Sequence, residues 1–592
     1  MKLSRRHALQ LLASAAPAFA LRNAFAQTTG QSPATPPLSI TPGPYTNTRA
    51  SLRAYTTPDW FADAKFGIWA HWGPQSAVGD GDWYARNMYI EGTDQYKYHL
   101  KRFGPQSKVG YKDLVHLFTA DQWDPEHLMD LYQKAGAKYF FSMGVHHDGY
   151  DLWNSKYQPR WNAVSSGPRK DVVGLWAAAA RKRGLRFGVS EHLSNAFDWL
   201  APSHLADTKG PYANIPYDGQ NPASADLYHD YSGMPADFLK SIQNNPMGRI
   251  APDWWKLQYF NRVKDLIDQH QPDLLYTDGG IEVGEYGLGT VAELYNVGPT
   301  SYKGKSEAIY FSKTPTDCVT GTCVLDHERS VLNEIAPLPW QTDTCIGDWH
   351  YKLGEKYKTP KKVIDLLVDI VSKNGNLLLN IPLPASGMPD PEELRILAAI
   401  TQWTSINGEA IFSTRPWKIH GEGPSTKVVI KPNGHEFDPN EGKQPDLTYQ
   451  DIRFTTKGKT LYATVMGWPP SELIIQSLAS NSPQDPGKVL DVRLLGRDEP
   501  LKFTQDTTGL RANSAPHPHP RLQPRHRPPH QLRVSLAFAL ASAFLVCHPV
   551  GICSCFCSLQ HHPNSRHPGA KREDHCIGCC SYSRRPHRTL HL

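Results

Sequence analysis

Between Trp254 and His270, apolar residues return every three or four positions: Leu257, Phe260, Val263, Leu266 and Ile267 make one stripe, the spacing of an amphipathic helix. Pro272 stops that helix. Leu274 to Tyr276 is then a short apolar run, read as a buried strand, and Asp278-Gly279-Gly280 sets a carboxylate where the strand gives way to a turn. The same unit recurs along the chain. Asp124 and Pro125 open a helix striped by Leu128, Leu131, Tyr132 and Ala135, Gly136 ends it, and a strand from Tyr139 to Val145 runs into His146-His147-Asp148. Asp171 caps a helix from Val172 to Arg183, and Leu185 to Ser190 leads to Glu191-His192. Cys323 to Leu325 leads into Asp326-His327-Glu328. Thr359-Pro360 opens a helix over Lys361 to Lys373, followed by a strand over Asn376 to Ile381.

Helices alternating with short apolar strands predict a parallel sheet covered on both faces. Polar residues gather repeatedly at strand C-termini, which favours a closed (β/α)8-like barrel, where such residues form the site, over a doubly wound sheet. The barrel is expected over residues 49–411. From about Phe412 the pattern changes to short strands between Pro, Gly, Asn and Asp clusters: Lys427 to Ile430, Leu461 to Val465, Glu472 to Gln476, Val489 to Leu495 and Leu501 to Phe503. That reads as a smaller all-β sandwich over residues 412–511, truncated before its last strand.

The two ends differ from the body. Residues 1–26 hold Arg5-Arg6, an apolar run from Leu9 to Leu21 and a small-x-small site at Ala24-Phe25-Ala26, an export signal of twin-arginine type that implies a periplasmic or extracellular protein. Residues 27–48 read as a linker rich in Thr, Pro and Ser. Residues 512–592 carry seven of the ten cysteines and a mixture of Arg, Pro and His without apolar periodicity. This composition suggests a disordered tail read out of frame. Cys576, Cys579 and His575 make at most half a zinc site, and the apolar run Val534 to Val546 is too short to span a bilayer. Net charge is +6, but it sits at the ends: the tail has ten basic and two acidic residues and the first 26 residues have four basic ones. Removing that +8 and +4 leaves −6 for the body, which argues against a nucleic-acid partner.

Several segments carry chemistry together. They are Phe66 to Gly73 with His71, Gly81-Asp82-Trp83-Tyr84, Met143 to Tyr150 with His146 and His147, Ser190-Glu191-His192, Tyr276-Thr277-Asp278-Gly279, and Pro339 to Cys345. Ser372 to Ile381 and Ile406 to Ile411 follow. In this order, between about Trp60 and Phe412, they resemble the α-L-fucosidases of glycoside hydrolase family 29. The resemblance implies Asp278 as the nucleophile of a retaining exo-α-L-fucosidase. It also implies His71, Asp82, Trp83, His146, His147, His192 and Tyr276 around the sugar of a fucosylated glycan, with no cofactor.

A retaining glycosidase also needs an acid beside its nucleophile. Glu328, at the end of a predicted strand and just before Pro339 to Cys345, is the first choice, with Glu307 and Glu282 as alternatives. No metal is expected, since adjacent histidines on a strand would point to opposite faces. Were either carboxylate missing, the same scaffold would be a carbohydrate-binding protein without catalysis. Cys318 and Cys323 enclose a short loop and can pair in an oxidising compartment, leaving Cys345 free.

Overall fold

Eight parallel strands make the first domain: β1 (Phe66–Ala70), β2 (Tyr139–Val145), β3 (Arg186–Glu191), β4 (Leu274–Thr277), β5 (Ile309–Ser312), β6 (Val324–Leu325), β7 (Trp340–Cys345) and β8 (Gly375–Asn380). The structure, a computed structural model, describes residues 37–234, 237–239, 251–300, 304–318, 321–431, 439–513 and 533–538. The export signal, residues 27–36 of the expected linker and all the tail cysteines therefore lie outside the described residues.

The strands pair in the order β6-β5-β4-β3-β2-β1-β8-β7. The two ends of that sheet meet where Asp326, just past β6, bridges Gln341 of β7 in parallel register, so the barrel closes at a seam. The seam is polar. Its strands β1, β2, β4, β5, β7 and β8 are buried along their whole length, as both faces of a barrel sheet require. Helices Pro125–Lys134, Val172–Lys182, Asp253–His270, Glu285–Val297, Pro360–Ser372 and Pro391–Asn407 cover the outside. Their starts follow the capping residues in the sequence. Asp124 accepts from the His127 N–H at 2.9 Å, Asp171 from Gly174 at 2.9 Å, and Thr359 from Lys362 at 3.2 Å, satisfying donors that a helix cannot pair internally.

Apolar periodicity does not reveal β7, and the apolar run of β5, Ala308 to Phe311, is too short to show a period. Trp340–Cys345 reads WQTDTC and is fully buried because its polar side chains are paired within the barrel. The expected linker is also corrected from residue 37 onward. Thr41 donates through its N–H and hydroxyl to Glu293 at 2.6 Å each, and Tyr45 sits edge-on to Tyr295 at 5.3 Å, so this stretch is strapped to helix Glu285–Val297.

The second domain is a sandwich of a five-stranded and a three-stranded sheet. The first has the order β13-β16-β11-β10-β9 and the second β12-β15-β14. Its strands are β9 (Arg415–Glu422), β10 (Ile452–Lys457), β11 (Thr460–Val465), β12 (Glu472–Ile475), β13 (Asp491–Leu494), β14 (Phe503–Asp506), β15 (Gly509–Asn513) and β16 (Arg533–Phe538). The strand expected at Lys427 to Ile430 is a 3-10 turn, Pro424–Lys427, and irregular chain. Helix Pro360–Ser372 joins the domains: Asp369 accepts from Arg453 of β10 at 2.6 Å and from Lys373 at 2.7 Å.

The larger correction concerns the tail. Six of its residues form β16, parallel to both β11 and β13; Val534 and Leu536 are buried between the sheets, and Ala537 is buried on the other face against Ala410 and Tyr462. An apolar alternation that fits an open slot between two strands is enough to order this stretch, whatever its flanking composition. Among the described residues no helix is long and apolar enough to cross a membrane.

Leu536 is 1% exposed and packs with Leu461, Val492 and Leu494. Leu536→Ala should therefore lower stability by about 2–4 kcal/mol. Thermal unfolding of the full chain checks this; an unchanged transition would mean that the tail strand does not occupy the sheet.

Candidate active site

Asp278 stands one residue past β4, and its turn is shaped by what lies across from it. Gly279 has φ +157°, and a Cβ on Gly280 would come within 2.5 Å of the Thr314 hydroxyl. The loops after β4 and β5 therefore approach more closely than side chains would permit. They are also tied together. The Lys313 N–H donates to the Gly279 carbonyl at 2.8 Å, and Asp317 accepts from the Ile281 N–H at 2.6 Å and the Ser312 hydroxyl at 2.9 Å. Arg49 closes on Asp317 at 2.8 Å from the amino-terminal side. The Cys318–Cys323 disulfide fastens the loop that connects β5 to β6, and Cys345 is free and buried.

These ties put Lys313, one residue past β5, between Asp278 and Glu328. Its ammonium hydrogen-bonds Asp278 Oδ1 and Glu328 Oε2 at once. Glu328 arrives from the seam. The chain from Asp326 to Ser330 runs beside β7, with His327 N–H on the Gln341 carbonyl at 2.9 Å and Arg329 N–H on the Asp343 carbonyl at 2.7 Å. Arg329 has φ +47°, and its carbonyl accepts from Asn440 at 3.0 Å and Glu441 at 2.9 Å. The segment before β10 of the second domain thus clamps the residue next to Glu328.

The two carboxyl groups differ in charge preference. Burial pushes Asp278 up, but the Lys313 ammonium, a hydrogen bond from His147 and the nearby His192 ring outweigh it and hold the group well below the usual carboxylate range. At Glu328 burial wins over Lys313; the nearby Asp343 and Asp278 add to it, and the group is pushed up to about 7. Lys313 is itself opposed by burial but held well above its ordinary value by Asp278, Glu328 and Asp343. One carboxyl is set to be ionised and its neighbour to hold a proton.

Histidines line the rest. His147 Nε2 lies 3.1 Å from Asp278 Oδ2, its Nδ1 donates to the His192 carbonyl at 2.9 Å, and His192 Nδ1 is 3.6 Å from the same carboxylate oxygen. His146 is held by Gln75 at 2.7 Å. His71 is 3% exposed, with neither ring nitrogen hydrogen-bonded to protein. Burial, reinforced by the neighbouring rings, depresses His71 and His146 well below their ordinary value; burial also takes His192 down to about 4 despite Asp278. The rings are neutral, able both to donate and to accept. Asp82 Oδ1 meets His350 Nδ1 at 2.6 Å, and Trp83 sits edge-on to Trp199 at 4.9 Å, which in turn lies 4.2 Å from His147.

Most of the residues expected from sequence are thus brought together, with four changes. β2 ends at Val145, so His146 and His147 lie past the strand with ring centroids 4.5 Å apart and do not diverge. Tyr276 is buried under the site, and its hydroxyl donates to Asp343 at 2.8 Å, so it supports the floor. Glu307 precedes β5 at the opposite end of the barrel, paired with Arg186 at 2.8 Å, and cannot reach Asp278. Glu282 is exposed and folds back toward Gly279, with no burial to hold a proton.

Lys313, His350, Trp199 and Asp343 escaped the sequence reading. A lysine directly after an apolar run and a histidine in Trp349-His350-Tyr351 were the available signals. His71, Asp82, His146 and His350 offer ligand atoms within 4.8 Å of one another, as do His146, His147 and His192, so either group could be bridged by a cation. The Asp82–His350 hydrogen bond already occupies one edge of the first.

Residues 36–409 match the family described as Alpha-L-fucosidase, and residues 444–526 that described as Alpha-L-fucosidase C-terminal domain. The rat tissue alpha-L-fucosidase is 28% identical over 479 residues, which are 79% of this chain and 87% of the rat protein. The human plasma alpha-L-fucosidase is 27% identical over 463 residues, 76% of this chain and 84% of that one. A crystal structure of the Thermotoga maritima alpha-fucosidase with a mechanism-based inhibitor superposes with TM-score 0.60 at 26% identity, covering 79% of this chain and 95% of the other. With the barrel matched over its length and the second domain in order behind it, the chain belongs to the alpha-L-fucosidase family of glycoside hydrolases.

Proposed function

We propose that the chain removes terminal L-fucose from fucosylated glycans with retention of configuration, with Asp278 as nucleophile and Glu328 as acid/base. The observation that carries this reading is the shared contact with Lys313. Two oxygens hydrogen-bonded to one nitrogen lie at most about 6 Å apart. That suits the roughly 5–5.5 Å between carboxyl groups of a retaining site and is short for the 6.5–9.5 Å of an inverting one. In the first step Asp278 attacks the anomeric carbon while Glu328 gives its proton to the departing oxygen. In the second, Glu328 takes a proton from water, which attacks the same carbon and releases Asp278. Two inversions give net retention.

His71, His146 and His192, neutral and buried, suit the sugar hydroxyls beside His147, and the free nitrogens of His71 match a ligand that both donates and accepts. Trp83 and Trp199 suit the apolar face of the ring and its methyl group. With both carboxylates in the pocket, the binding-only alternative loses its premise. The same reading has the chain act after export, for which Arg5-Arg6 in the leading segment and the Cys318–Cys323 pair are the support.

Four outcomes check it. Proton NMR during hydrolysis of 4-nitrophenyl α-L-fucoside should show the α-anomer of fucose first, and first appearance of the β-anomer would overturn retention. Asp278→Ala should lower kcat by at least about a thousandfold without unfolding the chain. The pH profile of kcat/KM should fall as pH rises through about 7, where Glu328 loses its proton, while its acid limb lies well below the usual carboxylate range because Asp278 stays ionised there. Lys313→Met removes the charge that depresses Asp278, so that acid limb should move to higher pH; an unmoved limb would mean that Lys313 does not set the nucleophile's charge.

A further inference from the structure

Beneath the catalytic centre, at the barrel seam, lie two more carboxyl groups. Asp326 is 1% and Asp343 0% exposed. Asp326 Oδ1 and Asp343 Oδ1 are both buried with no donor from any other group, and a proton held between two such carboxyl oxygens would satisfy both. The remaining oxygens are fixed differently: Asp326 Oδ2 accepts from Gln341 Nε2 at 2.8 Å, and Asp343 Oδ2 accepts from the Tyr276 hydroxyl at 2.8 Å. Burial, then each other's charge or that of neighbouring carboxylates, raises both, and Asp326 is raised well above its ordinary range.

The groups facing this pair come from every strand around it. From β2, Tyr139 meets Gln341 Oε1 at 2.9 Å. β4 sends Tyr276 and, beyond it, Asp278, while the end of β5 supplies Lys313, whose Nζ lies 5.6 Å from the Tyr276 ring centroid. The seam itself supplies Glu328. Four carboxyl groups thus surround one ammonium. At most two of them can be ionised beside a single buried cation without strong mutual repulsion. Asp278 is one of the two, and Asp343, which attracts Lys313 and repels charge on Glu328, is placed to be the other.

We propose that Asp326 keeps the shared proton and that the Asp343 carboxylate is a positioning residue, fixing Lys313 and Tyr276 below the site and keeping Glu328 protonated for the leaving group. The proposal rests on the reading of Glu328 as acid/base. It makes the two seam residues unequal. In Asp326→Asn an amide N–H takes the place of the acid O–H toward Asp343, so charge and hydrogen bond survive. In Asp343→Asn the Tyr276 hydroxyl still finds an acceptor, but the negative charge leaves its place.

The test is the pH dependence of kcat and kcat/KM for the full chain and both variants on 4-nitrophenyl α-L-fucoside, with thermal unfolding measured beside it. Asp326→Asn should keep the parental profile, with kcat within about threefold. Asp343→Asn should move the basic limb to lower pH by about one unit and lower kcat about tenfold with little change in KM. Equal shifts in the two variants, or an unmoved basic limb in Asp343→Asn, would overturn the proposal. A second readout holds even if Asp343→Asn fails to fold. The infrared difference spectrum above neutral pH, parent minus Asp326→Asn, should contain a buried protonated-carboxyl band, and its absence overturns the proposal. Glu328→Gln, assayed with fucosyl fluoride, whose departure needs less acid help, separates the underlying reading. If a basic limb survives there, the acid/base assignment has failed independently of the seam pair.

Discussion

A single buried ammonium organises the active site. Lys313 is drawn into the barrel by Asp278 and Glu328, and without that cation two carboxyl groups so close together would share one pKa problem with no solution other than protonation. With it, their preferences separate: a hydrogen bond from His147 joins the ammonium at Asp278, whereas Glu328 has burial and the repulsion of Asp343 and Asp278. The difference in environment, not in residue type, sets one carboxyl to be ionised and the other to hold a proton, as the proposed nucleophile and acid require.

Much of the molecule serves to keep those three side chains in register. The glycines after Asp278 let the β4 and β5 loops touch, and Asp317 with Arg49 ties them. Glu328 lies on a segment hydrogen-bonded along β7 and clamped at Arg329 by Asn440 and Glu441. Glu441 also accepts from the Thr344 hydroxyl at 2.7 Å and pairs with Lys358 at 2.8 Å. The second domain is therefore mechanically joined to the segment that carries Glu328 through a short stretch before β10. Its sheet is completed by β16, supplied from a tail of otherwise unpromising composition.

How far this was legible in the sequence follows from the range of each contact. Strands that are apolar and end in polar residues announce themselves, and so β2 and β4, with Asp278 as expected nucleophile and His71, His146 and His147 as expected sugar contacts, could be suggested from local pattern together with the family resemblance. Glu328 could be chosen only among three glutamates, because what separates it from Glu307 is the end of the barrel each occupies. Lys313, His350 and Asp343 act across strands, and no periodicity reports that. β7 is hidden for the same reason: its buried Gln341 and Asp343 look like loop residues until Tyr139, Tyr276 and Asp326 are placed against them. The tail was misjudged by composition, which averages over many residues, whereas six with the right alternation suffice for one strand.

The central claim is that Asp278, held ionised by Lys313, bonds covalently to the sugar. It is tested most directly by incubating the full chain with 2-deoxy-2-fluoro-α-L-fucosyl fluoride, which slows release of a glycosyl-enzyme, and mapping the labelled peptide by mass spectrometry. The account predicts one fluorofucosyl group per chain, on Asp278 in the peptide containing Tyr276-Thr277-Asp278. A label on another carboxylate, or turnover of the reagent by a folded Asp278→Ala chain at the parental rate, would contradict it.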